Sequence, residues 1–371
     1  MLEPGDLLMS AAGTVGKAHL WSSKEAACFA GFLVRFRANQ AMCDPRFIGW
    51  WSQGKGFKDQ VLTGAVRSTI NNFSAGKYRA LRVFLPELSY QRSIADFLDR
   101  ETAQIDAMIE AQEALATIAG ERRRAVIHHY VTKGLATGAS LKNTPLKWLG
   151  EIPEHWEVAN IRRHAEMKTG HTPSRSVPEY WVDCDIPWIT LADVWQLRTG
   201  KIEYIENTDE MVSELGIANS AAELLPAGTV VLSRTASVGF SGIMATPMAT
   251  SQDYWNWICK PSMLPEYLLY VFRAMEQEFQ ALRRGSTHQT IYQPVAASFR
   301  IPVPPLDEQR QIVEELRQTL RRTDELLEEI AATTALLRER REALITAAVT
   351  GRIDPETGIE YPENPETPKE S

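Results

Sequence analysis

The chain has 371 residues, 44% of them hydrophobic and 23% charged, enough apolar side chain for a sizeable core spread over two or more domains. It shows no charged-then-apolar N-terminal leader, and no apolar run approaches the roughly 18 residues of a membrane span, so a cytoplasmic protein with no membrane partner is expected. The net charge of −7 argues against a uniformly basic nucleic-acid binder, but the stretch from Asp354 to Ser371 holds six acids and one lysine, a net −5 that leaves only −2 for the rest. The four cysteines, Cys28, Cys43, Cys184 and Cys259, have no metal-ligand spacing and read as reduced, mostly buried small hydrophobes.

In chain order, "GDLLMSAAGTVGKA" (Gly5 to Ala18) mixes short apolar runs with Gly and Ser turns, as short strands of an α/β module do. It is no phosphate loop, since Ala11 stands where such a loop needs Gly and Ala18 where it needs Ser or Thr. "GAVRSTINN" (Gly64 to Asn72) follows. Pro86 keeps the preceding chain extended, Ser89 is an expected N-cap, and Leu88–Thr132 reads as one long helix with Ile94, Leu98, Ile105, Met108, Leu115 and Val126 along one stripe. A second module begins near Leu146. It contains the basic stretch "IRRHAEMKTGHTPSR" (Ile161 to Arg175), "GTVVLSRTASVGFS" (Gly228 to Ser241), the expected core strand "SQDYWNWICK" (Ser251 to Lys260) and "RRGSTHQT" (Arg283 to Thr290). After Pro305, with Asp307 as expected N-cap, a second long helix spans Leu306–Thr350 on a stripe of Ile312, Leu316, Leu326, Ile330, Leu337 and Leu344.

The chain is written twice. Leu88 to Thr132 matches Leu306 to Thr350 without a gap: Gln91, Arg92 and Ile94 fall on Gln309, Arg310 and Ile312, Asp106 on Asp324, and Arg123 on Arg341. Upstream, Gly5–Ala18 echoes Gly228–Ser241, and Gly64–Asn72 echoes Gly285–Gln293. The first copy has no counterpart to the stretch from Leu146 to Pro226. At 1.5 Å per residue each long helix would run about 65 Å, and the nearest partner for its stripe is the other copy.

No histidine or carboxylate group shows catalytic or metal-ligand spacing. What stands out is short polar side chains beside bases in loops. The candidates for contact with DNA are Arg162, Arg163, Lys168, Thr172 and Ser174; Ser233, Arg234, Thr235, Ser237 and Gln252; and Arg283, Arg284, Thr287, His288 and Gln289. Hydroxyls and backbone N–H groups suit phosphate oxygens, Arg forks to guanine, and Gln pairs with adenine.

The opening "WLGEIPEHWEV" (Trp148 to Val158), "KTGHTPSR", "GTVVLSRTASVG", "GSTHQTI", and "IPVPPLDEQRQIV" before a helix ending "REALITAAVTG" together resemble the specificity (S) subunit of type I restriction-modification systems. The resemblance implies α/β (α+β) target-recognition modules, each followed by a long conserved helix, the two helices forming an antiparallel coiled coil. The expected division is a partial first recognition domain (1–87), a first conserved helix (88–138), a second recognition domain (139–305), a second helix (306–352) and a disordered acidic, Pro-rich tail (353–371). It also implies a non-catalytic subunit that reads a bipartite site in double-stranded DNA and docks two DNA methyltransferase (modification) subunits and the restriction (helicase/nuclease) subunits. S-adenosylmethionine would belong to the former and ATP with Mg to the latter, with no cofactor on this chain. Against the family pattern, the first module lacks its opening, so a truncated gene or a misassigned start is expected, and two copies pairing their second modules would then read a palindrome. The competing reading is a coiled-coil adaptor whose modules bind proteins.

Overall fold

The computed structural model of the chain describes residues 1–64, 72–135, 138–284 and 290–361, the side chains of 282–284 excepted. They form two compact units, Met1–Ala116 with the chain from Glu329 onward, and Thr117–Glu328. The division runs through the middle of both long helices, Leu88–Lys133 and Leu306–Val349. The reason is packing: each module's core continues into the halves of both helices beside it. Among the described residues no helix is long and apolar enough to cross a membrane.

In the first unit, β1 (Asp6–Ser10) lies between β2 (Ala18–Leu20) and β3 (Leu33–Arg37), all antiparallel. Helix α1 (Pro45–Trp51) starts on Asp44, whose carboxylate accepts from Arg46 N, with proline at the first helical position, where no N–H is needed. Phe47, Phe57, Phe73 and Tyr78 fill the core together with Ile94, Phe97 and Leu98 of the first long helix and Ile345, Ala348 and Val349 of the second. Within this unit the helix halves run antiparallel: Arg341 Nε donates to Asp106 Oδ1 at 2.8 Å and Arg338 Nη2 to Glu113 Oε1 at 2.7 Å.

Three expectations are corrected here. Ser89 and Asp307 are not N-caps, because the helices already begin at Leu88 and Leu306, and Gln91 N and Gln309 N donate to the carbonyls of Glu87 and Pro305. The acidic tail is not structureless from 353 onward: Ile353 is buried in the first unit's core and bridges to Glu360 around a turn capped by Asp354, while 362–371 lie outside the described residues. Parts of the stripes also stay open, with Met108, Leu115 and Leu326 exposed.

In the second unit a five-stranded sheet has the order β4 (Ala165–Thr169), β8 (Tyr254–Cys259), β6 (Val230–Ser233), β7 (Ser241–Met244), β5 (Tyr204–Ile205), antiparallel except for β5 beside β7. Helix α2 (Pro265–Ala274) packs on it, seven of its ten residues buried. The stretch Ser251–Lys260 does supply a core strand, with Trp255 and Trp257 in the main core. A smaller sheet joins Ile186–Ile189 to Glu210–Val212 and Ala249–Thr250.

The repeat is legible strand by strand. Leu7 pairs with Leu20 on one side and Phe36 on the other, as Val230 pairs with Ile243 and Trp257. Gly5 and Gly228 enter β1 and β6 at φ +95° and +84°, a conformation natural to glycine. The bridge Ala12–Asn72 corresponds to Thr235–Thr290. That aligns Asn72 with Thr290, three residues away from the pairing expected from the sequence, because the strand ends decide which residues meet.

The buried glutamines Gln91 and Gln309 tie each module to its long helix in the same way. Gln91 Nε2 donates to Met42 O and Pro86 O and its Oε1 accepts from Asp44 N; Gln309 Nε2 donates to Ser262 O and Pro304 O and its Oε1 accepts from Leu264 N. In both cases the amide satisfies the chain just before α1 or α2, where free backbone groups would otherwise be buried.

Candidate nucleic-acid interface

The candidate interface lies at one end of the five-stranded sheet of the Thr117–Glu328 unit, where β4 and β6 end and β8 begins. Past β4 the chain crosses Thr250 and Ser251 so closely that a Cβ at Gly170 would overlap Thr250 Oγ1 and two backbone oxygens. His171 N donates to Thr250 O at 3.0 Å. Thr250 Oγ1 in turn accepts from the buried Asn256 Nδ2 at 2.7 Å. This lock delivers Thr172 to Gln252, whose Oε1 accepts from Thr172 Oγ1 at 2.6 Å. Gln252 is exposed, and with that oxygen engaged its amide still has two N–H donors to offer.

The loop leaving β6 comes to the same end. Arg234 N donates to Asp253 O at 2.8 Å, and Ile291 N donates to Arg234 O. The Arg234 guanidinium stacks 4.2 Å over the Trp255 ring, and burial there pulls its pKa below the usual arginine value. Arg234 Nε and the fully buried Ser233 Oγ have no partner among the described residues. Ala236 sits at φ +55°, a left-handed turn unusual for alanine, and it brings Ser237 N to Thr235 O. Thr235 bridges Thr290, so Thr290 and Ile291 lie beside Arg234.

Thr172, Ser233, Arg234, Thr235, Ser237 and Gln252 are thus brought together. Ser174 is exposed two residues beyond Thr172, its hydroxyl bonded to Ser176. Arg162 and Arg163 are not part of this group. They form a short turn ahead of β4, at the opposite end of a strand about 14 Å long, where Lys260 Nζ donates to both their carbonyls and Arg163 pairs with Glu157 at 2.6 Å. Lys168 is held by Glu223 at 2.9 Å and Glu166 at 3.3 Å, which raise its pKa. Arg283 and Arg284 end the helix Glu276–Arg284, their side chains outside the described residues, and Thr287, His288 and Gln289 lie outside them altogether.

Gly170, Thr250 and Asn256 were missed by the sequence reading. The glycine between Thr169 and His171 in "KTGHT" was the available signal, but only the crossing of two chain segments shows why a side chain is forbidden there.

The family model of the Type I restriction modification DNA specificity domain matches residues 153–333, which contain this whole cluster. The chain is 31% identical over 191 residues to the type I restriction enzyme MjaIX specificity subunit of Methanocaldococcus jannaschii, covering 49% of this chain and 43% of that one. It is 25% identical to the EcoR124I/EcoR124II specificity subunit of Escherichia coli, over 67% of this chain and 56% of that one. It therefore spans about half the length of these curated relatives. A chain solved in work on complex assembly and conformational transition of the type I R-M system shares the fold, with a TM-score of 0.71 at 17% identity over 94% of this chain and 82% of the other. Residues 153–333 thus carry a Type I restriction modification DNA specificity domain, and with the duplicated strand order and the glutamine ties the chain is similar over most of its length to type I specificity subunits.

Proposed function

We propose that the chain is a DNA sequence-specificity subunit whose Thr117–Glu328 unit reads one half of a bipartite double-stranded site. The observation that carries this reading is the convergence of Thr172, Arg234, Thr235, Ser237 and Gln252 at one sheet end inside the matched segment. Their hydroxyl, amide and guanidinium groups are suited to hold phosphates and base edges. In this reading the chain is non-catalytic and cytoplasmic. Two methyltransferase subunits bring S-adenosylmethionine, restriction subunits bring ATP and Mg, and both dock on it, with the long helices setting the gap between half-sites.

The test is to purify the chain with a type I methyltransferase subunit, titrate the duplex complex with salt and map methylated adenines. The expected result is adenine methylation at one defined motif and a log K slope of about −0.9 per phosphate contact. Partner binding with no duplex affinity at any salt concentration would instead identify an adaptor.

A further inference from the structure

The Thr117–Glu328 unit holds a cavity of about 240 Å³ that shares no residue with the interface described above. Ile127, Leu197, Phe240, Phe272 and Phe279 give it an apolar lining. Its charged lining is lopsided: four arginines, Arg123, Arg124, Arg198 and Arg273, against the one carboxylate of Glu276. Arg123 and Arg124 reach it from the first long helix, on the face that also carries Gly120 and Ile127. Arg198 comes from the turn that Gly200 closes at φ +65°, and Arg273 from α2.

Two of the four positive charges are already met. Arg123 Nε pairs with Asp324 Oδ1 at 2.9 Å, and its Nη2 donates to Gly200 O at 2.6 Å. Arg124 Nε lies 3.9 Å from Glu276 Oε2, while the other oxygen of Glu276 accepts from Gln280 Nε2 at 3.0 Å. Arg198 and Arg273 form no ion pair among the described residues. Arg273 donates to Ile202 O at 2.7 Å, and its guanidinium stands 5.5 Å from the centre of the Tyr270 ring. Burial, with Arg123 adding to it, pulls the Arg273 pKa down to about 10. A guanidinium withdrawn from water without a counter-charge carries a desolvation cost that an anion relieves.

Ser241 adds a neutral donor. It opens β7 on the same face as the core residue Ile243. It lines the cavity and is buried, and its Oγ has no partner among the described residues. A buried hydroxyl in that state has given up a hydrogen bond to water that an oxyanion would restore.

We propose that this cavity is a binding site for a small organic phosphomonoester, its dianionic head held by Arg198, Arg273 and Ser241 and its apolar body by Phe240 and Phe279. Two unbalanced arginines match a doubly charged head, and their forked N–H groups suit phosphate oxygens. The phenylalanine lining favours an organic ester over inorganic phosphate. The proposal does not rest on DNA reading, and its test contains no duplex, so the two fail separately.

Phenyl phosphate, inorganic phosphate and benzoate are titrated calorimetrically into the full chain. Phenyl phosphate is expected to bind about tenfold tighter than either of the others, since inorganic phosphate lacks the apolar body and benzoate the second charge. It should also slow hydrogen exchange at the amides of Val238–Ser241, which line the cavity. Arg273→Gln should weaken phenyl phosphate about tenfold and Arg198→Ala, at an exposed position, about threefold. Glu276→Gln removes the lining carboxylate and should tighten binding about threefold, a gain that misfolding does not produce. No binding of phenyl phosphate, equal binding of all three probes, or an affinity unmoved by Glu276→Gln and Arg198→Ala would overturn the proposal.

Discussion

Arg123 and Asp324 form an ion pair between the two long helices, Nε to Oδ1 at 2.9 Å, with Arg123 almost wholly buried. Their repeat counterparts, Arg341 and Asp106, form the equivalent pair at 2.8 Å. Each pair takes its arginine from one helix and its aspartate from the other, which two copies of one sequence achieve only when they run antiparallel.

Because Arg123 also donates to Gly200 O at 2.6 Å, Arg123→Ala should cost about 2 kcal/mol of stability. The Arg123→Ala, Asp324→Ala double variant should lose less than the sum of the singles by about 1 kcal/mol, measured by urea unfolding. Strict additivity would show that the two side chains do not interact in solution.

Gln309→Ala leaves one backbone N–H and two carbonyls without their partner in a buried place, and about 3 kcal/mol of destabilisation is expected. Gln91→Ala should cost a similar amount through Asp44, Met42 and Pro86. Calorimetry on both variants checks whether the two ties are energetically equivalent as well as geometrically alike.

Gly170→Ala forces a methyl group into Thr250 and Ser251, so the crossing must open. The expected cost is about 3 kcal/mol, with weakened duplex binding because Thr172 and Gln252 lose their contact. A variant that melts like the parent would show that the crossing is looser in solution.

Base and phosphate contacts should separate on mutation. Gln252→Ala should reduce affinity by about 1–3 kcal/mol for one base pair of the site and little for the others. Replacing Arg283 and Arg284 together should weaken binding to all duplexes and flatten the salt slope by about 1 to 2. Binding measured on a panel of single-base-pair variants across salt concentrations distinguishes the two effects.

The buried Asp6 carboxylate accepts two hydrogen bonds from Arg37, at 2.6 and 2.7 Å, and this pairing holds its pKa below the usual carboxylate range. A carboxyl depressed in the folded state contributes stability above its unfolded pKa and loses it as pH falls through the folded one. The stability gap between the parent and Asp6→Asn should therefore be full at pH 6 to 7 and shrink steadily below about pH 4. Thermal melts from pH 7 to 3 check the sign; a gap that widened in acid would contradict it.

The sequence alone sufficed for whatever local pattern and duplication encode. Both long helices follow from the spacing of Ile94, Leu98, Ile312 and Leu316, the second core strand from its Trp and Tyr content, and the repeat from aligned residues such as Gln91 and Gln309, Asp106 and Asp324. The family resemblance rests on the same signals. Tertiary structure decided which residues meet, since that depends on chain crossings between segments far apart in sequence. It set Arg162 and Arg163 at the far end of β4 from Thr172, although only eight residues lie between Arg163 and Thr172. It engaged Lys168 with Glu223, buried Ile353 in a core from within an acidic tail, and turned two matching glutamines into two matching ties. A one-dimensional pattern records that a side chain is apolar, charged or repeated; its partner is chosen only when strands from distant parts of the chain come into register.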